Sequence, residues 1–221
     1  LYSLADIKAA APAVAGANAV GLSGLVAGTA YKAHVTVKDT AGNYSVVWSS
    51  EAFTPMFGGP GPAGGLIFYE STSGFSSNGV TCHYLEAAPT DLEGTYQWGG
   101  YGWYCNTGTA IGTGAANTAE LATHDHGTPS SGSGLHLAAR ACADYSYGGY
   151  NDWFLPSIDE LNLMYTNLKE QGLGGFSNNC DWSSSEYGAL YPAWSQGFYY
   201  GIQYNNLGKD NGYSVRAVRA F

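Results

Sequence analysis

The chain has 221 residues, of which 32 are glycine and 18 are tyrosine, and only 11% are Asp, Glu, Lys or Arg. Soluble domains carry about 25% charged residues and about 7% glycine, so charge is roughly halved and glycine roughly doubled here. The net charge of −9, with only eight Lys and Arg in total, leaves no basic stripe and disfavours nucleic-acid binding. No apolar run approaches the ~18 residues that span a membrane, so no membrane insertion is expected. Because 14% of the residues are aromatic, the composition indicates a folded, loop-rich chain rather than a disordered one.

The first part of the chain is predicted to form β structure. Apolar and polar side chains alternate strictly over residues 31–38, as in a half-buried antiparallel strand. A turn is predicted over residues 39–43, and a second strand over residues 44–48. The Gly- and Pro-rich run 58–65 is the clearest break in composition, and we place the domain boundary there. The predicted domains are residues 1–56 and 57–221.

The second domain is predicted to be α+β. Short apolar runs are typical of strands and occur at residues 66–69, 83–88 and 215–221. Two helices are expected. The first covers the Ala-rich residues 135–145. The second begins at a capping box formed by Ser157 and Glu160, carries one apolar face, and ends near Gly172.

Side chains that could carry catalysis or bind metal follow no established pattern. The serine run 183–185 lacks the Gly-x-Ser-x-Gly context of a nucleophile, and hydroxyls that cap a loop explain it better. His124, Asp125 and His126, with His136 nearby, could offer metal ligands, but adjacent residues in a Gly/Ser/Pro loop seldom converge on one ion. No glycine motif for phosphate or dinucleotide binding occurs. We therefore expect no enzymatic activity, no cofactor and no metal.

Four cysteines leave three possible pairings open: Cys82, Cys105, Cys142 and Cys180. Their spacing fits no zinc template. An even cysteine count, little lysine, and abundant tyrosine and glycine favour an oxidising, extracellular setting. The alternative is that Cys142, on a predicted helix, is simply a small buried apolar residue.

The most informative segment is residues 187–213, where six tyrosines alternate with Asn, Gln, Ser and Asp. Antibody paratopes share this composition, because tyrosine gives rigid contact area at low entropy cost and small polar residues give adaptable hydrogen bonds. The alternative is an aromatic-rich packing segment. Buried tyrosines need partners for their hydroxyls, and six in so polar a setting cannot all be core. We interpret the segment as an exposed ligand-binding surface.

Two resemblances follow from longer motifs. Residues 25–31 and 38–45 resemble the last strands of a fibronectin type III domain, with Tyr31 as its tyrosine corner. Only about 50 residues are covered where a full domain has about 100, which implies a partial immunoglobulin- or fibronectin III-like all-β domain with an exposed edge.

The second domain carries six ordered motifs, at residues 61–69, 84–89, 110–114, 152–161, 182–186 and 215–219. Together they resemble the C-terminal domain of Lcl-type collagen-like adhesins, a family with the C-type lectin fold. The variable proteins of diversity-generating retroelements use the same fold, and in those adenine-directed mutagenesis diversifies codons near the C-terminus. The mixture of Tyr, Asn, Ser, Asp, Gly and Ala between Glu186 and Val215 resembles such a region.

The resemblance implies roles for individual residues. The core would include Trp153, Leu155, Trp182, Trp194 and Phe198. Arg216 and Arg219 would anchor the last strand to acidic partners, and Lys209 would be part of the constant framework. The ligand face would be formed by Tyr187, Ala189, Tyr191, Ser195, Gln196, Tyr199, Tyr200, Gln203, Tyr204, Asn205, Asn206, Asp210, Asn211 and Tyr213. The cysteines depart from the adhesin pattern, and as a local addition we expect the disulfides Cys82–Cys105 and Cys142–Cys180.

These features predict a display protein on a cell or virion surface, which binds a protein or glycan ligand on another cell or virus. One alternative is a fixed carbohydrate-binding adhesin, although the Glu-Pro-Asn and Trp-Asn-Asp calcium motifs of animal C-type lectins are absent from the sequence. Another is an enzyme of the sulfatase-modifying type, which shares the fold. That activity would need a reduced and accessible reactive cysteine, Cys142 or Cys180.

Overall fold

A computed structural model describes residues 56–100, 104–123, 137–188 and 192–221, together with the backbone of residues 30–35 and 48–53. The chain divides into two compact units, Leu1–Met56 and Phe57–Phe221. These bounds coincide with the domain limits predicted from composition.

In the first unit, strand β1 (Ala30–Val35) pairs antiparallel with β2 (Trp48–Phe53). The alternating strand is therefore found, with its described part ending at Val35. The second predicted strand, residues 44–48, lies outside the described residues except for Trp48, where β2 begins. The side chain of Tyr31 also lies outside the described part of the chain.

The second unit is mixed α+β, as predicted. Its strands are β3 (Leu66–Ser77), β4 (Val80–Ala87), β5 (Tyr96–Gln97), β6 (Cys180–Glu186), β7 (Pro192–Gly197), β8 (Gln203–Gly208), β9 (Gly212–Tyr213) and β10 (Val218–Ala220). Its helices are α1 (Gly114–Thr123), α2 (Leu137–Ala143) and α3 (Ile158–Met164), and α3 continues as a π-helical turn, Tyr165–Lys169. All ladders between these strands are antiparallel, in the orders β10-β4-β3, β5-β9 and β6-β7-β8.

Helix α1 is the one described helix that the sequence did not predict, and strands β5 to β9 were not predicted either. Its buried face includes Asn117 and Thr118, so polar side chains interrupt the apolar period by which helices are recognised. Asn117 bonds both backbone groups of Gly108 at 2.8 and 2.7 Å, and the Thr118 hydroxyl bonds both backbone groups of Leu155. These side chains form hydrogen bonds with the backbone of neighbouring loops instead of adding apolar contact area. Buried polar groups are tolerated when they are hydrogen-bonded in this way.

Helix α3 begins as predicted. The Ser157 hydroxyl accepts the Glu160 N–H at 3.3 Å, and the Glu160 carboxylate accepts the Ser157 N–H at 2.8 Å. This capping box satisfies two N–H groups that an open helix end would leave without partners. Helix α2 lies within the predicted residues 135–145, of which 135 and 136 are outside the described part.

Two groups of buried side chains form the core. One is built around Trp98, Leu121, Trp153, Leu155 and Trp182, and the other around Phe68, Leu85, Leu161, Met164 and Phe198. Four of the five predicted core residues are therefore buried. Trp194 is only half-buried, because its ring packs edge-on against the exposed ring of Tyr187 at a centroid distance of 5.1 Å.

The Gly- and Pro-rich run 58–65 is a folded loop at the start of the second unit rather than a linker. The Glu86 carboxylate lies inside the loop and accepts the N–H groups of Ala63 at 3.1 Å and Gly65 at 2.7 Å. A Cβ atom at Gly61 would overlap this carboxylate, and one at Gly65 would overlap the backbone of β4. The glycines are needed for this close approach rather than for a flexible linker.

The two arginines near the C-terminus hold the last strand to acidic partners, as predicted. Arg219 makes a bidentate pair with Asp152, with both N···O distances 2.9 Å, and a longer contact of 3.3 Å with the Glu86 carboxylate. Arg216 pairs with Asp91 at 2.6 Å and donates to three backbone carbonyls. Both guanidinium groups are almost fully buried, so each needs this full set of partners.

The Glu86 site gives a stability prediction. Replacing Glu86 with Gln should lower the free energy of unfolding by about 3 kcal/mol, because the loop N–H groups and Arg219 lose a buried negative charge. Glu70→Gln on an exposed position of β3 is the matched control and should change stability by no more than about 0.5 kcal/mol. Urea unfolding followed by circular dichroism measures both; equal effects would contradict the anchoring role.

Candidate functional site

The chain reverses direction sharply between β7 and β8. The ring of Phe198 is buried and stacks on that of Phe176, with centroids 4.7 Å apart. Gly201 follows in the left-handed region, at φ +72°, and its N–H closes the turn with a backbone hydrogen bond of 2.9 Å. Because Phe198 takes the inward position, the next two side chains, Tyr199 and Tyr200, are 57% and 70% exposed.

A groove of about 570 Å³ lies beside this turn. Four parts of the chain line it, through Thr95, Asn178, Asn179, Cys180, Gly197, Tyr199, Tyr200, Tyr204, Gly212, Tyr213 and Ser214. Cys180 of β6 and Gly197 of β7 are direct partners in the antiparallel register, so two small residues meet within the lining. We call this feature the tyrosine groove.

Aromatic contacts position the four tyrosines of the groove. The rings of Tyr199 and Tyr200 meet edge to face, with centroids 4.1 Å apart. Tyr213 packs edge-on against the buried ring of Trp182 at 4.9 Å. Tyr204 lies over Gly197, where a Cβ atom would come 2.9 Å from its ring. The lining of the groove thus comes from strands β6 to β9 and from residues within three positions of a strand end.

The structure supports exposure for most of the predicted ligand face. The exposed members are Tyr187, Tyr199, Tyr200, Gln203, Asn206 and Asn211, and the half-buried ones are Tyr204, Asn205, Asp210 and Tyr213. Ala189 and Tyr191 lie outside the described residues. The groove brings together four of the fourteen, all of them tyrosines.

Ser195 and Gln196 are completely buried, so their assignment to an exposed face was wrong. They lie on β7, the central strand of the sheet β6-β7-β8, where each has a partner on both sides. Helix α3 also packs against β6 and β7. Ser195 and Gln196 are polar like their exposed neighbours in the sequence. Only the order of the strands shows that β7 lies inside the sheet.

Seven residues of the groove were missed by sequence reasoning. They are Thr95, Asn178, Asn179, Cys180, Gly197, Gly212 and Ser214. The segment 178–180 is separated from the Trp-Ser-Ser-Ser-Glu motif by one residue, Asp181, and this proximity was an available signal. No signal in the sequence pointed to Thr95, because the pairing of β5 with β9 brings it to the groove.

A buried ion pair lies at the end of the sheet β6-β7-β8 opposite the turn between β7 and β8. Lys209, in the turn after β8, donates to the carboxylate of Glu186 at the end of β6, and both side chains are about 1% exposed. The second carboxylate oxygen accepts the N–H groups of Cys105 at 2.7 Å and Asn106 at 3.2 Å. The Lys209 ammonium also lies 4.8 Å from the ring centre of Trp98. A buried charge with this many partners is a framework element, which agrees with the constant role expected of Lys209.

Two carboxyl groups near the sheet resist ionisation. Burial raises the pKa of Asp181 well above its usual value, the Asp91 carboxylate acts in the same direction, and Arg216 and Lys169 oppose both. Burial also raises the pKa of Glu160 to about 7, against the lowering effect of the backbone N–H groups that it accepts. Neither group lines the groove, so both bear on stability rather than on ligand chemistry.

No group of three or more potential metal ligands occurs within the described residues, and no helix there is long and apolar enough to cross a membrane. The sequence candidates His124, Asp125, His126 and His136 lie outside those residues.

All four cysteines are free thiols in the structure, so neither expected disulfide is present. Cys142 is completely buried on α2 among core side chains, as in the alternative interpretation of a small apolar residue. Cys105 is also buried, at the loop that Glu186 holds, and burial raises its pKa to about 12. Cys180 is only half-buried, because it lines the groove. Cys82 is buried on β4.

No protein-family model matches the chain, and neither does any curated protein.

The raised pKa of Glu160 predicts a pH dependence of stability. Its folded-state pKa of about 7 exceeds its ordinary 4.5, so the folded protein keeps a proton that the unfolded chain loses between these pH values. The free energy of unfolding should therefore fall by up to about 3 kcal/mol as pH rises from 4.5 to 7. Asp181 contributes with the same sign. Urea unfolding at pH 5, 6, 7 and 8 measures this slope. Glu160→Gln should flatten it, Asp144→Asn at an exposed site should not, and equal slopes in all three proteins would contradict the assignment.

The four thiols should differ in reactivity. Burial raises the pKa of all four, and Cys180 alone is not fully buried. An aromatic disulfide reagent at pH 8 should modify one thiol of the native chain first and all four only in denaturant, since the thiolate is the reactive form. Cys180→Ser should abolish the early phase. Fewer than four thiols in denaturant without a reductant would show that a disulfide forms after all.

Proposed function

We propose that the chain is a display protein of the C-type lectin fold whose C-terminal Tyr- and Asn-rich surface is diversified by a retroelement to bind varied ligands, mainly proteins. The observation that carries the proposal is the tyrosine groove with the exposed side chains around it. Protein interfaces rely on aromatic anchors in well-packed pockets surrounded by polar groups, and this surface offers that combination.

The lectin-type scaffold is supported by the way the sequence motifs meet. The motif at residues 152–161 bonds the C-terminal motif through Phe154 and Val218, with N···O distances of 2.8 and 2.9 Å. It also bonds the motif at 182–186, where the Ser184 N–H donates to the Pro156 carbonyl at 2.7 Å. Motifs that resemble one family in order thus form one connected framework. The partial fibronectin-like unit would act as a spacer from a cell or virion surface.

The separation of surface from framework also supports diversification. Buried side chains such as Phe198, Lys209 and Arg216 alternate along the chain with exposed ones such as Tyr199 and Asn211. Exchange of an exposed side chain costs little stability, whereas exchange of a buried one costs several kcal/mol. A mechanism that changes many codons at once needs this arrangement.

A fixed carbohydrate-binding adhesin is the second candidate. The concave shape of the groove and the amides of Asn178 and Asn179 favour it, because sugar rings stack on tyrosine and bond to amides. Binding of the full chain to a defined glycan on an array, weakened when Tyr199 or Tyr200 is exchanged for Ala, would favour this candidate over the first.

The diversification proposal predicts a genetic pattern. A near-copy of the DNA that encodes residues 182–221 should lie beside a reverse-transcriptase gene. Between copy and gene, mismatches should occur only at template adenines. They should fall in codons for exposed residues such as Tyr199, Tyr200 and Asn211, and should spare those for the buried Ser195 and Gln196. Sequencing the locus in several isolates measures this; absence of a copy, or mismatches at other bases, would overturn the proposal.

A further inference from the structure

We propose that the tyrosine groove is an anchor site for one uncharged aromatic side chain of a partner protein, and that residues outside the C-terminal window complete it. This inference rests on the proposed binding of protein ligands. It adds the chemical class of the group that enters the groove, and it assigns binding roles to Thr95, Asn178 and Cys180, which lie outside residues 187–213.

The charge of the lining selects against ionic groups. None of the eleven described residues that line the groove is Asp, Glu, Lys or Arg. A carboxylate or ammonium group that entered it would lose hydration without gaining a counter-charge, which is unfavourable. Lys169 lies behind one wall, but its ammonium already donates to the Asn178 side-chain oxygen at 2.9 Å and to the Phe176 carbonyl at 2.8 Å.

The shape and the ring edges select for an aromatic group. A volume of about 570 Å³ is within the ~300–1,000 Å³ typical of small-ligand sites, and it is ample for one ring system. The small residues Cys180 and Gly197 meet within the lining, and the ring of Tyr204 packs over Gly197. Tyrosine rings favour edge-to-face or offset contacts with another aromatic ring.

Polar groups of the lining suit the edge of such a ring. Because the Asn178 side-chain oxygen is held by Lys169, its amide nitrogen is directed away from that lysine and can donate to an acceptor on the partner. The hydroxyls of Thr95 and Ser214 can accept from an indole N–H or a phenol O–H. A tryptophan or tyrosine side chain carries one polar N–H or O–H group on an otherwise apolar ring system. The groove has the same balance, because its lining has few polar groups and many ring carbons. A sugar ring carries hydroxyls on every side and would leave several without partners.

The test uses the full chain and small probes, so it needs no identified partner. N-acetyl-tryptophanamide is titrated into ¹⁵N-labelled protein, and the backbone amide shifts of Gly197, Tyr204 and Thr95 are followed. The expected result is saturable shifts at these positions with a Kd of about 1 mM, as suits a fragment of this size. N-acetyl-aspartamide and methyl glucoside should cause no such shifts.

Two variants with matched controls locate the binding. Tyr200→Ala removes a highly exposed groove ring and should weaken probe binding about fivefold or more, while Tyr104→Ala, exposed outside the lining, should not. Thr95→Trp places an indole at the exposed rim of the groove, where it can enter the groove and compete with the probe. This variant should weaken probe binding about tenfold, while Thr81→Trp on β4 should not.

Three results would overturn the proposal: no shifts with the aromatic probe, equal binding by groove and control variants, or saturable binding of methyl glucoside at the same amides. These outcomes are independent of the genetic pattern. A missing retroelement would defeat the diversification proposal and leave the aromatic anchor intact, whereas a failed titration would defeat the anchor alone.

Discussion

Buried carboxylates that accept backbone N–H groups are the constraint on which the second unit depends. Glu86, Glu160 and Glu186 each lie almost fully inside the protein, and each holds the backbone of a loop remote in sequence. A loop-rich chain with few aliphatic residues cannot satisfy its loop backbone by sheet ladders alone. An internal carboxyl group can satisfy two or three N–H groups at once, and these bonds are stronger than neutral ones where the group is ionised. The requirement for glycine follows, because Gly61 and Gly114 carry no Cβ atom where a carboxylate approaches.

These anchors explain how a surface of tyrosine and asparagine can be held in a defined shape. The Glu186–Lys209 pair joins the end of β6 to the turn after β8, and Arg216 holds the segment before β10 to a loop and to Phe176. The side chains that face solvent between these points contribute little to the core. The proposed binding surface and the stability of the unit are therefore carried by different residues, although the two kinds of residue alternate along the same short stretch of chain.

Local patterns predicted much of this arrangement. The capping box at Ser157 was predicted correctly because its partner lies only three residues away, whereas the acidic partners of the two C-terminal arginines were expected from the family resemblance. Helix α1 was missed because its inward face bears Asn117 and Thr118, whose partners are distant loops that no sequence window contains. Ser195 and Gln196 were misassigned for a related reason, since polar residues on a central strand have the same composition as residues on an edge. Only four of the eleven groove residues were predicted, because residues such as Thr95 and Asn178 lie beside strands whose pairing no sequence window contains.

Two buried polar side chains in the sheet β6-β7-β8 lower the stability of the unit. Asp181 and Gln196 are direct partners on β6 and β7, and both carry side-chain atoms without a hydrogen-bond partner among the described residues. An unpaired buried polar atom costs about 1–3 kcal/mol, so an apolar pair would be more stable if stability alone mattered. Burial already keeps the Asp181 carboxyl from ionising readily, which lowers that cost at acidic pH. The unpaired polar atoms of Asp181 and Gln196 are tolerated because the buried glutamates and arginines stabilise the unit elsewhere. The same contacts also offset the small contribution that the exposed tyrosines make to stability.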